Sequence, residues 1–373
     1  MKNFLFGAFT LLGFYNAFAQ NNYPLTYPKT RKGDQVDNYF GTKVSDPYRW
    51  MEDENASEVK DWVEAEKQVT QAYLGQIPFR EKIKNRITEI INYPKYTAPA
   101  RVGEYYIFSK NDGLQNQPVE YIQKGLDGTP VVLLDPNKMS SDGTAALTLD
   151  GSSKDNKYMI YTVAQSGSDW QEIGVIDLAT QTILKDKISW VKFPQPTWYG
   201  NGFFYSGYKQ PEKGKELSVQ NDFQKIYYHK IGESQDKDAL IYEDKEHPLR
   251  YVGAQITEDE QFLLIYIRDV GQDGGEVMCK NLKKGDTNFK MLFKGFEFDY
   301  GVINTLGEKL IVNTNNNAPN NKIILVDPAQ PDEGNWKVIV DEKPELIKES
   351  VTSGGKLYLN YLKDVTSRVY KWT

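Results

Sequence analysis

TEDEQFLLIY, residues 257–266, sets a polar turn directly before an unbroken apolar run, and the same arrangement recurs along the chain. Its counterparts are ARVGEYYIFS at 100–109, SKDNKYMIYT at 153–162, WYGNGFFYSG at 198–207, TLGEKLIVNT at 305–314 and TSGGKLYLNY at 352–361. Successive starts lie 53, 45, 59, 48 and 47 residues apart. After most of these runs a second one follows and ends in a turn: EYIQKGLDG at 120–128, GVIDLATQ at 174–181, IYYHKIGES at 226–234, VMCKNLKKG at 277–285 and IILVDPAQ at 323–330. A unit of roughly 40 to 50 residues holding about four short strands is what a propeller blade requires, because each small antiparallel sheet buries its faces only against its neighbours. Five units are complete by this reading, and the sixth is partial at Trp372-Thr373.

Composition agrees with an all-β body. Aromatic residues make up 13% of the 373 residues, with 25 Tyr and 17 Phe, and flat rings pack well on pleated surfaces. The balance of 45 basic against 51 acidic residues gives a net charge of -6, with no basic stripe to displace counterions from a phosphate backbone, so nucleic acid is not an expected partner. The single Cys279 excludes an internal disulfide and a thiolate metal cluster and reads as a small buried hydrophobe.

Ahead of the repeat the texture differs. Lys2, the apolar run Phe4 to Phe14 and the small-residue pattern Ala17-Phe18-Ala19 read as a signal peptide over residues 1–19, with cleavage expected before Gln20. The run is shorter than the roughly 20 residues a membrane span needs, so the mature chain is expected in the periplasm or outside the cell, with no membrane contact after cleavage. Residues 20–94 read as an extended arm followed by helices. Asp46-Pro47 can open a short helix to Asp53, and Asn55 with Glu58 has the form of a capping box. Val59, Trp62, Val63, Val69 and Tyr73 follow at helical spacing until Gly75. A second amphipathic helix carries Phe79, Ile83, Ile87 and Ile90 on one face and stops before Pro94. Residues 95–373 form the propeller.

Several separate stretches of the mature chain resemble one family, in that family's order. They are Tyr27-Pro28, the run Tyr39 to Asp53 (YFGTKVSDPYRWMED, with Met51 where leucine is usual), Tyr93-Pro94-Lys95-Tyr96 and Gly113 to Gln117 (GLQNQ). Leu134-Asp135-Pro136-Asn137, Gly167-Ser168-Asp169-Trp170 and Tyr227-Tyr228-His229-Lys230 complete the set. Together they are similar to the front portion of the prolyl oligopeptidases. The resemblance implies a seven-bladed-type β-propeller, here incomplete at about five and a half to six blades, that filters short peptides for an α/β-hydrolase peptidase domain cleaving after proline. The arm and helices would dock on that hydrolase. The family's Ser, Asp and His triad would lie in a C-terminal half beyond these residues, so the chain alone is expected to be inactive. By position, the propeller residues that touch the outer part of a bound peptide would be Phe193, Val252 and Arg268. An aromatic face and a guanidinium can hold an apolar residue and a peptide carboxylate. The opposing reading makes Phe193 blade core and pairs Arg268 with Asp269 or Asp273.

The residues themselves supply no catalytic serine machinery. No G-x-S-x-G turn occurs, and the serines of Gly151-Ser152-Ser153 and Ser166-Gly167-Ser168 sit in polar turns where they are expected to bond local backbone. The only imidazoles are His229, inside an apolar run, and His247, before Pro248; neither has an evident serine partner, and two histidines do not make a usual zinc site. The run Asp269 to Glu276 has calcium-loop residue types without the ligand spacing, so neither a metal nor any other cofactor is expected. Expected partners are short proline-containing peptides and a separate catalytic α/β-hydrolase half. Two alternatives stand beside this reading: a stand-alone propeller that binds peptides without cutting them, and the corresponding part of an oligopeptidase B-like enzyme.

Overall fold

The computed structural model describes residues 25–372, so the signal peptide at 1–19 and the first residues of the arm lie outside the described residues. Two compact units are present: one runs through Glu89 and includes Lys213–Ser218, and the other comprises Ile90–Glu212 and Val219–Thr373.

In the first unit the expected extended arm contains a hairpin, Val36–Tyr39 paired with Thr42–Ser45. Its two turn residues are both left-handed, Phe40 at φ 51° and Gly41 at φ 92°, which matches the twist of a two-residue hairpin, and Asn38 Oδ1 accepts from the Gly41 amide at 2.8 Å. A short 3-10 turn, Arg49–Glu52, stands where a one- or two-turn helix is expected after Asp46-Pro47. Helix α1 spans Ser57–Gly75 and α2 spans Arg80–Ile91. The capping box at Asn55 and Glu58 does not form. Ala56 is the N-cap, and the Glu58 carboxylate instead receives two hydrogen bonds from Arg31 (2.6 and 2.9 Å). The Trp50 and Trp62 indole N–H groups donate to Arg31 O and Thr30 Oγ1, which ties the arm to the 3-10 turn and to α1. Phe79, Ile83, Ile87 and Ile90 share one exposed face of α2, as their spacing predicts.

The second unit is a run of six antiparallel sheets, a propeller of six blades. The first blade is built from Lys95–Tyr96 and Ala100–Val102, which both pair with Tyr105–Asn111, then Val119–Lys124 and Val131–Leu134. Four regular four-stranded blades follow: 146–192, 197–243, 251–293 and 300–340. The sixth sheet has three strands, Leu346–Ser353, Lys356–Lys363 and Thr366–Trp372. The sequence repeat marks the hairpin between the first and second strands of each sheet. Every one of those turns carries a left-handed residue: Gly103, Asn156, Gly200, Glu260, Gly307 and Gly354.

Apolar runs in the second strands are unbroken because both faces are buried. In the second blade Met159, Tyr161 and Val163 join a core cluster with Ile107 and Ile122 of the first, while Ile160 joins a cluster with Phe203 and Tyr205 of the third. Phe204, between those two, packs with Leu263, Ile265 and Ile267 of the fourth blade. Phe262 and Leu264 turn instead toward Leu310 and Val312 of the fifth, whose Ile311 packs on Leu357 and Leu359 of the sixth. Alternation with period two thus places adjacent residues in adjacent seams. Cys279 is buried in one of these clusters, and burial pushes its thiol up to about 12.

Candidate functional site: a cavity within the propeller

A cavity of about 1060 Å³ opens among the second to fifth blades, and Phe193, Val252 and Arg268 all line it, with Tyr208, Tyr251 and Asp299. Phe193 follows the outermost strand of the second blade, Thr182–Lys192, where the chain crosses to the third. It precedes Pro194 and sits at φ 45°, a left-handed backbone unusual for an aromatic residue. Its side chain is no part of a blade core: the residue is 69% exposed.

Three residues earlier a bulge between Gln171 and Ile173 of the partner strand puts Trp190 at φ 61°. The Trp190 carbonyl accepts from the Tyr208 amide at 2.9 Å, joining the second and third blades at the cavity. Trp170 meets Trp190 and Tyr208 edge-on, with centroids 5.5 and 6.0 Å apart, and the Lys192 ammonium lies 4.3 Å above the Trp170 ring. Burial pushes the Tyr208 hydroxyl up to about 12, so it stays a neutral donor.

Val252 contributes little surface. It is 4% exposed and belongs to the core between the third and fourth blades, and its amide donates to Gln224 Oε1 at 2.8 Å. Arg268 ends the second strand of the fourth blade, Phe262–Arg268, and its guanidinium donates to Asp299 at the start of the fifth. Asp269 is instead taken by Arg250 at 3.1 Å, so neither neighbour expected from the sequence is the partner of Arg268. Gly275, opposite Arg268, allows this placement: a Cβ there would stand 3.0 Å from Arg268 Cδ and 2.7 Å from the Ile267 carbonyl. Both Arg268 and Asp299 are about half exposed, so the guanidinium remains open to a second acceptor. Deeper in, the Val302 amide donates to the Tyr266 hydroxyl at 3.1 Å and straps the fourth blade to the fifth.

The cavity thus brings together an aromatic face, a guanidinium and the carboxylates of Asp169 and Asp299. Among the described residues both histidines are engaged by aspartates: His229 by Asp186 and Asp238, and His247 by Asp244 at 2.9 Å. The turn serines bond locally, Ser153 Oγ to Asp155 at 2.6 Å and to the Tyr158 amide, and Ser168 Oγ to the Trp170 amide. Asp269 to Gly274 form the turn between two strands of the fourth blade and Glu276 lies in the second of them; among the described residues no three His, Cys, Asp or Glu side chains are grouped to hold a metal ion. Trp170, Lys192, Tyr208 and Tyr251 were not singled out as site residues from the sequence. The one available signal was Gly167-Ser168-Asp169-Trp170, whose indole proves to stand beside the cavity wall.

Residues 28–373 match the family model described as the prolyl oligopeptidase N-terminal β-propeller domain. A prolyl endopeptidase of Elizabethkingia meningoseptica is 40% identical over 95% of this chain and 50% of its own length. Prolyl oligopeptidase A of Amanita bisporigera is 31% identical over 93% of this chain and 50% of its own. Among solved structures, one from a study of two prolyl endopeptidases superposes with a TM-score of 0.80 at 30% identity, covering 93% of this chain and 51% of its own. Prolyl oligopeptidase B of Galerina marginata, bound to a 35mer hydrolysis and macrocyclization substrate, gives 0.78 at 27%, covering 94% and 53%. The oligopeptidase B of Leishmania major, at 18% identity and a TM-score of 0.72, shares the fold. The chain spans about half the length of the relatives it matches. It belongs to the prolyl oligopeptidase family, as that family's N-terminal β-propeller domain.

Proposed function

We propose that this chain is the peptide-admitting propeller of a secreted prolyl oligopeptidase-like serine endopeptidase, working with an α/β-hydrolase half that carries the nucleophile. The observation that carries the reading is the cavity wall where Phe193 projects, exposed and on left-handed backbone, across from the half-exposed Arg268. In this reading Phe193 receives an apolar side chain or a proline ring on its face. Arg268, released from Asp299 or shared with it, takes a carboxylate of the same peptide. In the assembled enzyme the blades would limit entry to short, unfolded chains. Export by the leader Met1–Ala19 would place the activity in the periplasm or outside the cell.

The test is a hybrid in which residues 25–372 replace the matching half of the Elizabethkingia meningoseptica prolyl endopeptidase. The hybrid should cleave a short proline-containing chromogenic peptide and leave a folded proline-rich protein intact, while the chain by itself cleaves neither. A folded hybrid that digests both substrates alike would remove the gating role, and peptide cleavage by the chain alone would remove the division of labour. N-terminal sequencing of the mature protein should begin at Gln20.

A further inference from the structure

His229 lies in the third strand of the third blade, Lys225–Lys230, and is wholly buried. Both of its ring nitrogens face carboxylate oxygens: Nδ1 is 2.7 Å from Asp238 Oδ1, and Nε2 is 3.0 Å from Asp186 Oδ1. Asp238 belongs to the same blade, just ahead of its outer strand Ala239–Glu243, whereas Asp186 stands on the outermost strand of the second blade. The ring therefore bridges two blades.

Proton bookkeeping fixes the form of the ring. A neutral imidazole has one N–H and one lone pair, so one of its two carboxylate contacts would set acceptor against acceptor. The aspartates are already committed as acceptors from other donors. Asp238 Oδ2 receives the Tyr205 hydroxyl at 2.7 Å, and Asp186 Oδ1 receives the Gly232 amide at 2.6 Å. No other His, Lys or Arg side chain is paired with either aspartate among the described residues. With both aspartates ionised, as acceptors from Tyr205 and Gly232, an imidazolium is the form of the ring that satisfies every contact. Beside it the Phe203 ring packs with its centroid at 5.2 Å, and Gln235, which exchanges hydrogen bonds with the Ser189 backbone at 3.0 Å each way, closes the seam.

We infer that His229 is held as an imidazolium between Asp186 and Asp238 and serves as a proton-dependent bolt between the second and third blades. The titratable groups that face it are Asp186 from the second blade and Asp238 from the third, with Tyr205 one bond further out. Burial works against the charge, but the hydrogen bonds that the ring donates to Asp238 and Asp186 outweigh it and raise the pKa above the ordinary 6.5. The sign follows from that direction. The bolt's contribution is complete below the unfolded-state pKa near 6.5 and is lost as pH climbs through the higher folded value.

The chain has two histidines, which makes a direct test practical. In the mature protein labelled with ¹⁵N-histidine, with His247→Ala to leave one imidazole, both ring nitrogens should give the imidazolium pattern at pH 7 and keep it above the range where an exposed histidine titrates. A single neutral tautomer at pH 7 would overturn the inference without any change to the seam itself. As a second reading, the melting temperature of the wild type should fall by several degrees as pH rises through the His229 titration, and His229→Gln should flatten that fall. An equal slope in both proteins would also overturn it. If the Gln variant does not fold, the ¹⁵N result decides alone.

Discussion

The seam between the second and third blades and the seam between the fourth and fifth solve one packing problem by different chemistry. The fourth and fifth blades meet chiefly through a cluster of twelve buried residues, in which the Phe293 and Tyr300 rings stack at 4.1 Å and Trp336 packs edge-on against both; the Arg268–Asp299 ion pair crosses the same boundary half exposed, at the cavity. The second and third meet through a smaller apolar cluster, Ile160, Ile173, Val175, Ile188, Val191, Phe203 and Tyr205, with the ionic bridge of His229 added. Apolar contact is non-directional and indifferent to pH, whereas a buried ion pair is worth little net energy but is costly to break. The fourth–fifth seam is held mainly by area, the second–third seam adds a buried ionic bridge, and the difference is open to mutation.

The largest effect is expected at the apolar seam. Tyr300→Ala removes a stacked ring and the hydroxyl that accepts from Asn316 at 3.0 Å, and should cost about 3–5 kcal/mol in denaturant unfolding, equally at pH 6 and pH 9. Asp238→Ala should cost about 3 kcal/mol near pH 6, by stranding His229 and the Tyr205 hydroxyl, and less at a pH above the His229 titration in the folded protein. A pH-independent loss there would erase the contrast between the seams.

A gain is expected next. Asp150, on the innermost strand of the second blade, has a buried Oδ2 without a partner, and burial pushes its carboxyl up to about 6 despite a hydrogen bond from Thr162. Because the folded pKa exceeds the unfolded one, the penalty is absent below about pH 4 and complete above about pH 6. Asp150→Asn should therefore stabilise by about 1 kcal/mol at pH 7 and by nothing at pH 3.5, read from the denaturant midpoint. The smallest change in stability belongs to Phe193→Ala, within about 0.5 kcal/mol because the side chain is exposed, while calorimetry should show weaker binding of a proline-containing peptide.

How much of this was legible in the sequence depended on which faces of a strand are buried. Second and third strands such as Phe262–Arg268 and Gly275–Asn281 bury both faces and announce themselves as apolar runs. First strands border the cavity and fourth strands border solvent, so Tyr251–Ile256, with Gly253 and Gln255, and Ala239–Glu243 carry no comparable signal. The hairpin at Val36–Ser45 was hidden because its turn asks Phe40 to adopt a left-handed backbone. Local capping rules failed at Glu58 because a more distant partner, Arg31, claims its carboxylate.

That Phe193, Val252 and Arg268 line one cavity follows position along the family pattern, whereas the pairings around them are set by tertiary contacts that spacing does not show. Phe193 and Arg268 do face one cavity, but the partner of Arg268 is Asp299, across a blade boundary, and no spacing rule links the two. His229 was visible as a histidine inside an apolar run, and the structure buries it completely. That it meets Asp186, on the neighbouring blade, follows only from how the third strand of one blade faces the outer strand of the one before it.

Alternating burial along the second strands has a kinetic consequence. Tyr161 and Ile160 are consecutive residues serving different seams, so damage at either is felt by one junction and reaches the next only through the intact sheet between them. Such an array behaves as a line of coupled links, and local opening should begin where a sheet has one apolar neighbour. Among the described residues those sheets are the first and the sixth, so amide exchange should be fastest there and slowest in the third and fourth blades.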